Sequence, residues 1–149
     1  MTADYFVDTN VLVYARDASE TVKQPLAQAW LRHLWQSRTG RLSTQVLSEY
    51  YVTVTRKLSR PIVAEEAWDD VRCYLAWAPL AIDAAVLVQG RGIQARHGLS
   101  WWDSLIVAAA VVSGASVLLT EDLQDGSSLD GVRIANPFRE APPPVMTGS

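Results

Sequence analysis

The stretch YFVDTNVLVYA, residues 5–15, sets three strand-forming residues directly before an aspartate and then turns helical. Tyr5, Phe6 and Val7 form a short apolar run of the kind buried in a parallel sheet. TNVLVYA can start a helix capped by Thr9 or Asn10. Asp8 therefore stands where a buried strand hands over to a helix.

The same alternation repeats along the chain. Residues 21–37 carry Leu26, Ala29, Trp30 and Leu34 at helical spacing, and Gly40 ends the pattern. Residues 41–43 suggest a brief strand. A helix from Thr44 reaches about Leu58, because Pro61 cannot continue it. A further helix spans about residues 63–77, and residues 80–82 are a candidate strand. Asp83 caps a helix that stops near Gly98. Ser100 caps the most apolar helix, SWWDSLIVAAAVV, which Gly114 closes. Residues 116–119 and 132–134 supply the last strands. Strands separated by helices imply a parallel sheet covered on both faces. In such sheets ligands bind outside the carboxyl ends of the strands, so the residue after each strand carries the functional information.

Composition narrows the class. A chain of 149 residues fits one domain, and 49% hydrophobic with 19% charged residues suits a globular fold rather than disorder. The single cysteine, Cys73, has no internal disulfide partner and reads as a small buried hydrophobe. No signal peptide is recognisable, and the longest apolar run is too short to span a membrane, so a cytoplasmic location is expected by elimination. The net charge of −3 does not mark a nucleic-acid binder. Arg38, Arg41, Arg56, Lys57, Arg60, Arg91 and Arg96 could still line the rim of an acidic site, or be ordinary solvated surface. The proline-rich end, residues 139–149, reads as a flexible tail outside the fold.

Four carboxylates sit beside apolar segments. Asp8 follows the first strand, and Asp122 follows the strand SVLL through Thr120 and Glu121. Glu49 borders the apolar stripe of Val46, Tyr50 and Val54. Asp103 lies in the first turn of its helix. Each has an ordinary explanation: Asp103 favours the helix dipole, Asp8 can make an Asx-turn, and Glu49 can pair with Arg56 or Lys57. Together these explanations strain, because clustered carboxylates repel and a divalent cation removes the conflict. Hard oxygen ligands select Mg²⁺ or Mn²⁺. His33 and His97 are far apart in sequence, and no cysteine pair competes as a zinc ligand set.

These blocks resemble the PIN-domain family, and within it the VapC-type toxins of bacterial toxin–antitoxin pairs. FVDTNVLVYA is similar to the family's opening motif, QVLSEYY to its second acidic block, LSWWDSLIVAAA to its third, and LLTEDLQDG to its last. The closing GVRIANPF resembles the end of one subgroup. The resemblance covers about residues 4–138. It implies a three-layer α/β/α fold with a central, mainly parallel sheet over residues 1–138, and a Mg²⁺-dependent ribonuclease. It carries Asp8, Glu49, Asp103 and Asp122 over as catalytic and metal-binding acids, with Asp8 and Asp103 the foremost ligands. Asn10 and Thr120 would orient the site or its substrate. Asp125 is a possible extra ligand, and Glu121 is left open because its side chain can point away. An RNA substrate, a cognate antitoxin and a homodimer are the implied partners, with an exposed part of Trp30, Trp35, Trp68 or Trp77 as a possible docking patch.

Two rivals remain. Haloacid-dehalogenase phosphatases also place an aspartate after an early strand, but they need a second one two residues later, where this chain has Asn10. A catalytically silent PIN-like module would hold RNA or protein without metal and would tolerate acid-to-amide changes.

Overall fold

The computed structural model describes residues 3–144. Its sheet has five strands: β1 (Tyr5–Val7), β2 (Gly40–Arg41), β3 (Val117–Leu119), β4 (Ser128–Leu129) and β5 (Val132–Ala135). Their spatial order is β2-β1-β3-β5-β4. The first, second, third and fifth run parallel, and β4 pairs antiparallel with β5. Six helices flank the sheet: α1 (Thr9–Arg16), α2 (Lys23–Ser37), α3 (Thr44–Arg56), α4 (Ala64–Tyr74), α5 (Ala84–His97) and α6 (Trp101–Val112). The result is the expected three-layer α/β/α architecture.

The strand order fixes where a site can form. The chain moves from β1 to β2 on one side and later returns to β3 on the other. The carboxyl ends of β1 and β3 therefore flank the point where the winding reverses, the usual position of a ligand crevice. Val7 pairs with Leu119, so the residues after both strands emerge side by side.

The core explains the apolar segments. Phe6, Val7, Leu118, Leu119 and Ile134 are buried in the sheet. Every residue of α6 from Ser104 to Ala110 is buried, as an all-round apolar helix requires. It packs closely on α5 through Leu105, where a Cβ on Gly90 would meet Leu105 Cδ2 at 3.0 Å. Trp30 is fully buried, and its Nε1 donates to the carbonyls of Pro137 (3.0 Å) and Glu140 (2.8 Å). Arg133 also pairs with Glu140 at 3.1 Å. Residues 145–149 of the expected tail lie outside the described residues. Among the described residues, no helix is long and apolar enough to cross a membrane.

Several local expectations are corrected. Asp8, not Thr9 or Asn10, caps α1 by accepting a hydrogen bond from the Thr9 amide. Ser43 caps α3, so β2 ends earlier than expected. The expected strand at residues 80–82 reduces to a single parallel bridge between Ser43 and Leu80. The Leu80 amide donates to Leu42, but Asp83 already caps α5 and leaves no length for a strand. The helix expected to run to Trp77 tightens into a 3₁₀ turn at Leu75–Trp77. Cys73 is exposed, because its position on α4 faces away from the buried Ala67 and Val71. The hairpin of β4 and β5 was not anticipated. Its turn residues Asp130 and Gly131 have φ of 50° and 86°, the positive pair that an Asp-Gly turn supplies.

Gly40 is required by packing. A Cβ there would lie 2.4 Å from the Trp77 ring. Gly40→Ala is therefore expected to lower stability by about 1–3 kcal/mol, as overpacking does. Urea unfolding measures it, and an unchanged midpoint would show that the indole swings aside freely.

Candidate active site

Asp8 is the centre of the site. It is only 5% exposed, at the carboxyl end of β1. One carboxylate oxygen accepts from the Thr9 amide at 2.7 Å. The other accepts from the Thr120 hydroxyl at 2.8 Å and from Asn10 Nδ2 at 3.4 Å. Burial pushes its pKa up to about 7, against the lowering effect of the Thr120 and Thr9 donors, and the charges of Asp122 and Asp103 push it further.

Thr120 joins β1 to β3 chemically. It is fully buried directly after β3. Its Oγ1 donates to Asp8 and accepts from the Asp122 amide at 3.0 Å. Asn10 Nδ2 reaches Thr120 Oγ1 (3.3 Å) and Asp122 Oδ2 (3.0 Å). Asn10 and Thr120 thus hold Asp8 and Asp122 in one hydrogen-bonded group.

Glu49 and Asp103 approach from helices. Glu49 Oε2 accepts from Thr9 Oγ1 at 2.9 Å, and its Oε1 accepts from Gln45 Nε2 at 3.0 Å. Thr9 and Gln45, rather than the alternative surface partners Arg56 or Lys57, engage the carboxylate. Asp103 lies in the first turn of α6, whose cap Ser100 accepts from the Asp103 amide at 3.1 Å. Burial raises the Asp103 pKa first; the Ser100 hydroxyl opposes this, and the charges of Asp122 and Glu49 add to it. Asp103 therefore lies within electrostatic reach of Asp8, Asp122 and Glu49.

The neighbouring acids are engaged elsewhere. Glu121 turns toward α1 and α2, accepting from Tyr14 Oη (2.6 Å) and Lys23 Nζ (2.8 Å). Lys23 also lies over the Tyr14 ring, 4.7 Å from its centroid. Asp125 is exposed and accepts from the Asn136 amide at 2.9 Å, which ties the loop after β3 to the end of β5. His97 pairs with Asp130 at 2.8 Å at the end of α5, and Arg96 pairs with the same carboxylate.

Sequence reasoning missed Thr9, Gln45, Tyr14 and Lys23. Gln45 precedes Glu49 by one helical turn, a legible i,i+4 pair. The others act across 40 to 107 residues, which no local pattern reveals.

The donor set suits a hard cation. The converging groups are carboxylate, amide and hydroxyl oxygens, with no imidazole or thiolate. Asn10 Oδ1 and Gln45 Oε1 are buried without partners, two oxygens still lacking a donor or a cation. Among the described residues, no three His, Cys, Asp or Glu side chains close into a ligand cage. Mg²⁺ does not require one, since it retains several waters.

Thr120→Val keeps the shape but removes the hydroxyl. It leaves Asp8 without its strongest side-chain donor and the Asp122 amide without its acceptor. Metal affinity, read by isothermal calorimetry with Mn²⁺, is expected to fall about 10- to 100-fold. Unchanged affinity would mean that the Thr9 amide and the Asn10 side chain suffice to hold Asp8 and Asp122.

Comparison with known proteins follows the same lines. Among curated proteins no sequence match is found. Solved structures with a similar fold include a toxin–antitoxin complex from Klebsiella pneumoniae, at 16% identity and a TM-score of 0.59, covering 90% of this chain and 98% of that one. VapBC2 from Rickettsia felis, bound to a DNA fragment from its promoter, matches at 19% identity and a TM-score of 0.61, over 89% and 97% of the two chains. Mycobacterium tuberculosis VapC20, a toxin that cleaves the sarcin–ricin loop, matches at 18% identity and a TM-score of 0.58, over 87% and 99%. The PIN domain family model matches residues 5–124, which span β1 through the acidic loop after β3, and the chain belongs to that family.

Proposed function

We propose that this protein is a Mg²⁺-dependent ribonuclease, the toxin of a toxin–antitoxin pair. The observation that carries the reading is the Asp8–Asn10–Thr120–Asp122 group at the β1/β3 crevice, with Asp103 within electrostatic reach of it and Glu49 tied to its edge through Thr9. A buried, desolvated carboxylate surrounded by like charges costs stability unless something positive binds there, and function is the usual reason such a site persists.

In this reading Asp8 and Asp103 are direct ligands, and Glu49 and Asp122 complete the site directly or through water. A divalent cation held there supplies an activated water and offsets charge on the scissile phosphate. The chain's own part is positional. Thr120 and Asn10 fix the Asp8 and Asp122 oxygens, and Thr9 and Gln45 fix those of Glu49. The Tyr14–Lys23 pair holds Glu121 away, which leaves Asp122 as the acid of that loop facing the site. Asp125, fastened to Asn136, plays no part.

The similar structures named above include a toxin–antitoxin complex and a toxin that cleaves the sarcin–ricin loop, which supports an RNA substrate and an antitoxin partner for this chain. The partner surface we assign is the groove between α3 and α4. It has a volume near 450 Å³ and is lined by Leu47, Tyr51, Val52, Trp68 and Val71, with Trp68 52% exposed. An apolar segment of the antitoxin partner would bury it.

The test is cleavage of a mixed pool of structured RNAs in Mg²⁺, Mn²⁺ or EDTA. Cutting should need the metal. RNA binding that survives acid-to-amide changes, without cutting under any condition, would favour the silent-module reading instead.

A further inference from the structure

Trp102 stands beside Asp103 yet is 62% exposed, while its neighbour Trp101 is packed within reach of Gly90 on α5. Core packing therefore accounts for one indole of the pair and leaves the other unexplained. Trp102 walls a cleft of about 540 Å³, with Thr9, Gln45, Glu49, Val52 and Lys57 among its other walls. Thr9 and Glu49 are the hydrogen-bonded pair at the edge of the acidic site. The cleft thus opens off the acidic site and shares Glu49 with it.

We infer that this cleft holds an unpaired nucleobase next to the scissile phosphate, stacked on the Trp102 indole. The inference rests on the ribonuclease reading. Charge supplies the argument. The protein carries a net charge of −3, and its site is a cluster of acids. RNA is polyanionic, so backbone electrostatics alone give such a surface little hold on it. Base stacking on an aromatic ring supplies affinity without regard to charge or sequence. The cleft offers that ring, an apolar wall in Val52, and one cation, Lys57, for a flanking phosphate. A base inside a duplex has both faces covered. The geometry therefore points to single-stranded or loop RNA, and to a register set by which nucleotide enters the cleft.

The experiment measures binding of homopolymeric single-stranded ribo-oligonucleotides and of a blunt RNA duplex to the full chain in EDTA, by fluorescence anisotropy. Wild type, Trp102→Ala and Trp102→Phe are compared, with melting temperatures as the folding control. Single-strand binding should weaken about tenfold or more in Trp102→Ala and stay near wild type in Trp102→Phe. The loss should persist at high salt, whereas the loss from Lys57→Met should shrink as salt rises. On cleaved RNA, Trp102→Ala should raise KM more than it lowers kcat. If wild type cuts RNA but Trp102→Ala binds and cuts it equally well, the stacking inference is overturned and the nuclease stands. If wild type neither binds nor cuts RNA with Mn²⁺ present, the ribonuclease reading fails and this inference falls with it.

Discussion

Asp8→Asn should lose RNA cleavage by about a thousandfold, the scale of removing one strong electrostatic element from a transition state. The same change should make the metal-free protein more stable. Asp8 is almost wholly buried and its charged form is disfavoured there. Asparagine is as good a helix cap as aspartate, so the bond from the Thr9 amide survives. The buried charge disappears, and with it the repulsion from Asp122 and Asp103. The asparagine Nδ2 replaces the Oδ2 acceptor of Thr120 and Asn10, which offsets part of the relief, so a gain of about 1–3 kcal/mol is expected from removing the desolvated charge. Scanning calorimetry in EDTA reads this directly. Mn²⁺ at a hundred times its dissociation constant should then stabilise wild type by about 2.7 kcal/mol and leave Asp8→Asn nearly unmoved. A metal-dependent shift that survives in the variant would remove Asp8 from the ligand set, whatever happens to cleavage.

Asp103→Asn should abolish cleavage to a similar degree with a different stability signature. Its backbone amide, not its carboxylate, donates to the Ser100 cap, so α6 keeps its start. Its carboxylate is half-buried and repelled by Asp122 and Glu49, but it also sits in a helical first turn where negative charge is favoured. These effects oppose each other, and the melting temperature in EDTA should move little. The pair of variants separates two roles that activity alone cannot distinguish. Loss of cleavage with retained stability in one and raised stability in the other fits a shared site with unequal burial. A large destabilisation in Asp103→Asn would return that residue to a helix-start role.

Much of the fold was legible because its signals are local. The apolar run at Tyr5–Val7, the caps Asp83 and Ser100, and the all-round apolar α6 each depend on neighbours within a few residues. The residues after β1 and β3 could be paired by topology, since parallel strands release their carboxyl ends on one side. The strand expected at residues 80–82 failed because local propensity ignores competition. Asp83 takes the adjacent backbone for α5 before a ladder can extend. The β4 hairpin was missed although Asp130-Gly131 is a recognisable turn pair, because its strand of two residues carries no periodic pattern. Cys73 was misjudged because apolar neighbours in sequence are not neighbours on a helix face.

By itself the sequence determined the order of the six helices and of β1, β2, β3 and β5, and marked four acids as site candidates, since strand runs, caps and motif spacing are written in consecutive residues. Only the tertiary structure decided how those acids differ. It buried Asp8 beneath Thr120, gave Glu49 to Thr9 and Gln45, and turned Glu121 away onto Tyr14 and Lys23. It also left Trp102 exposed beside them. Desolvation and hydrogen bonding depend on which distant segments the folded sheet brings within 3 Å, and no stretch of chain encodes that alone.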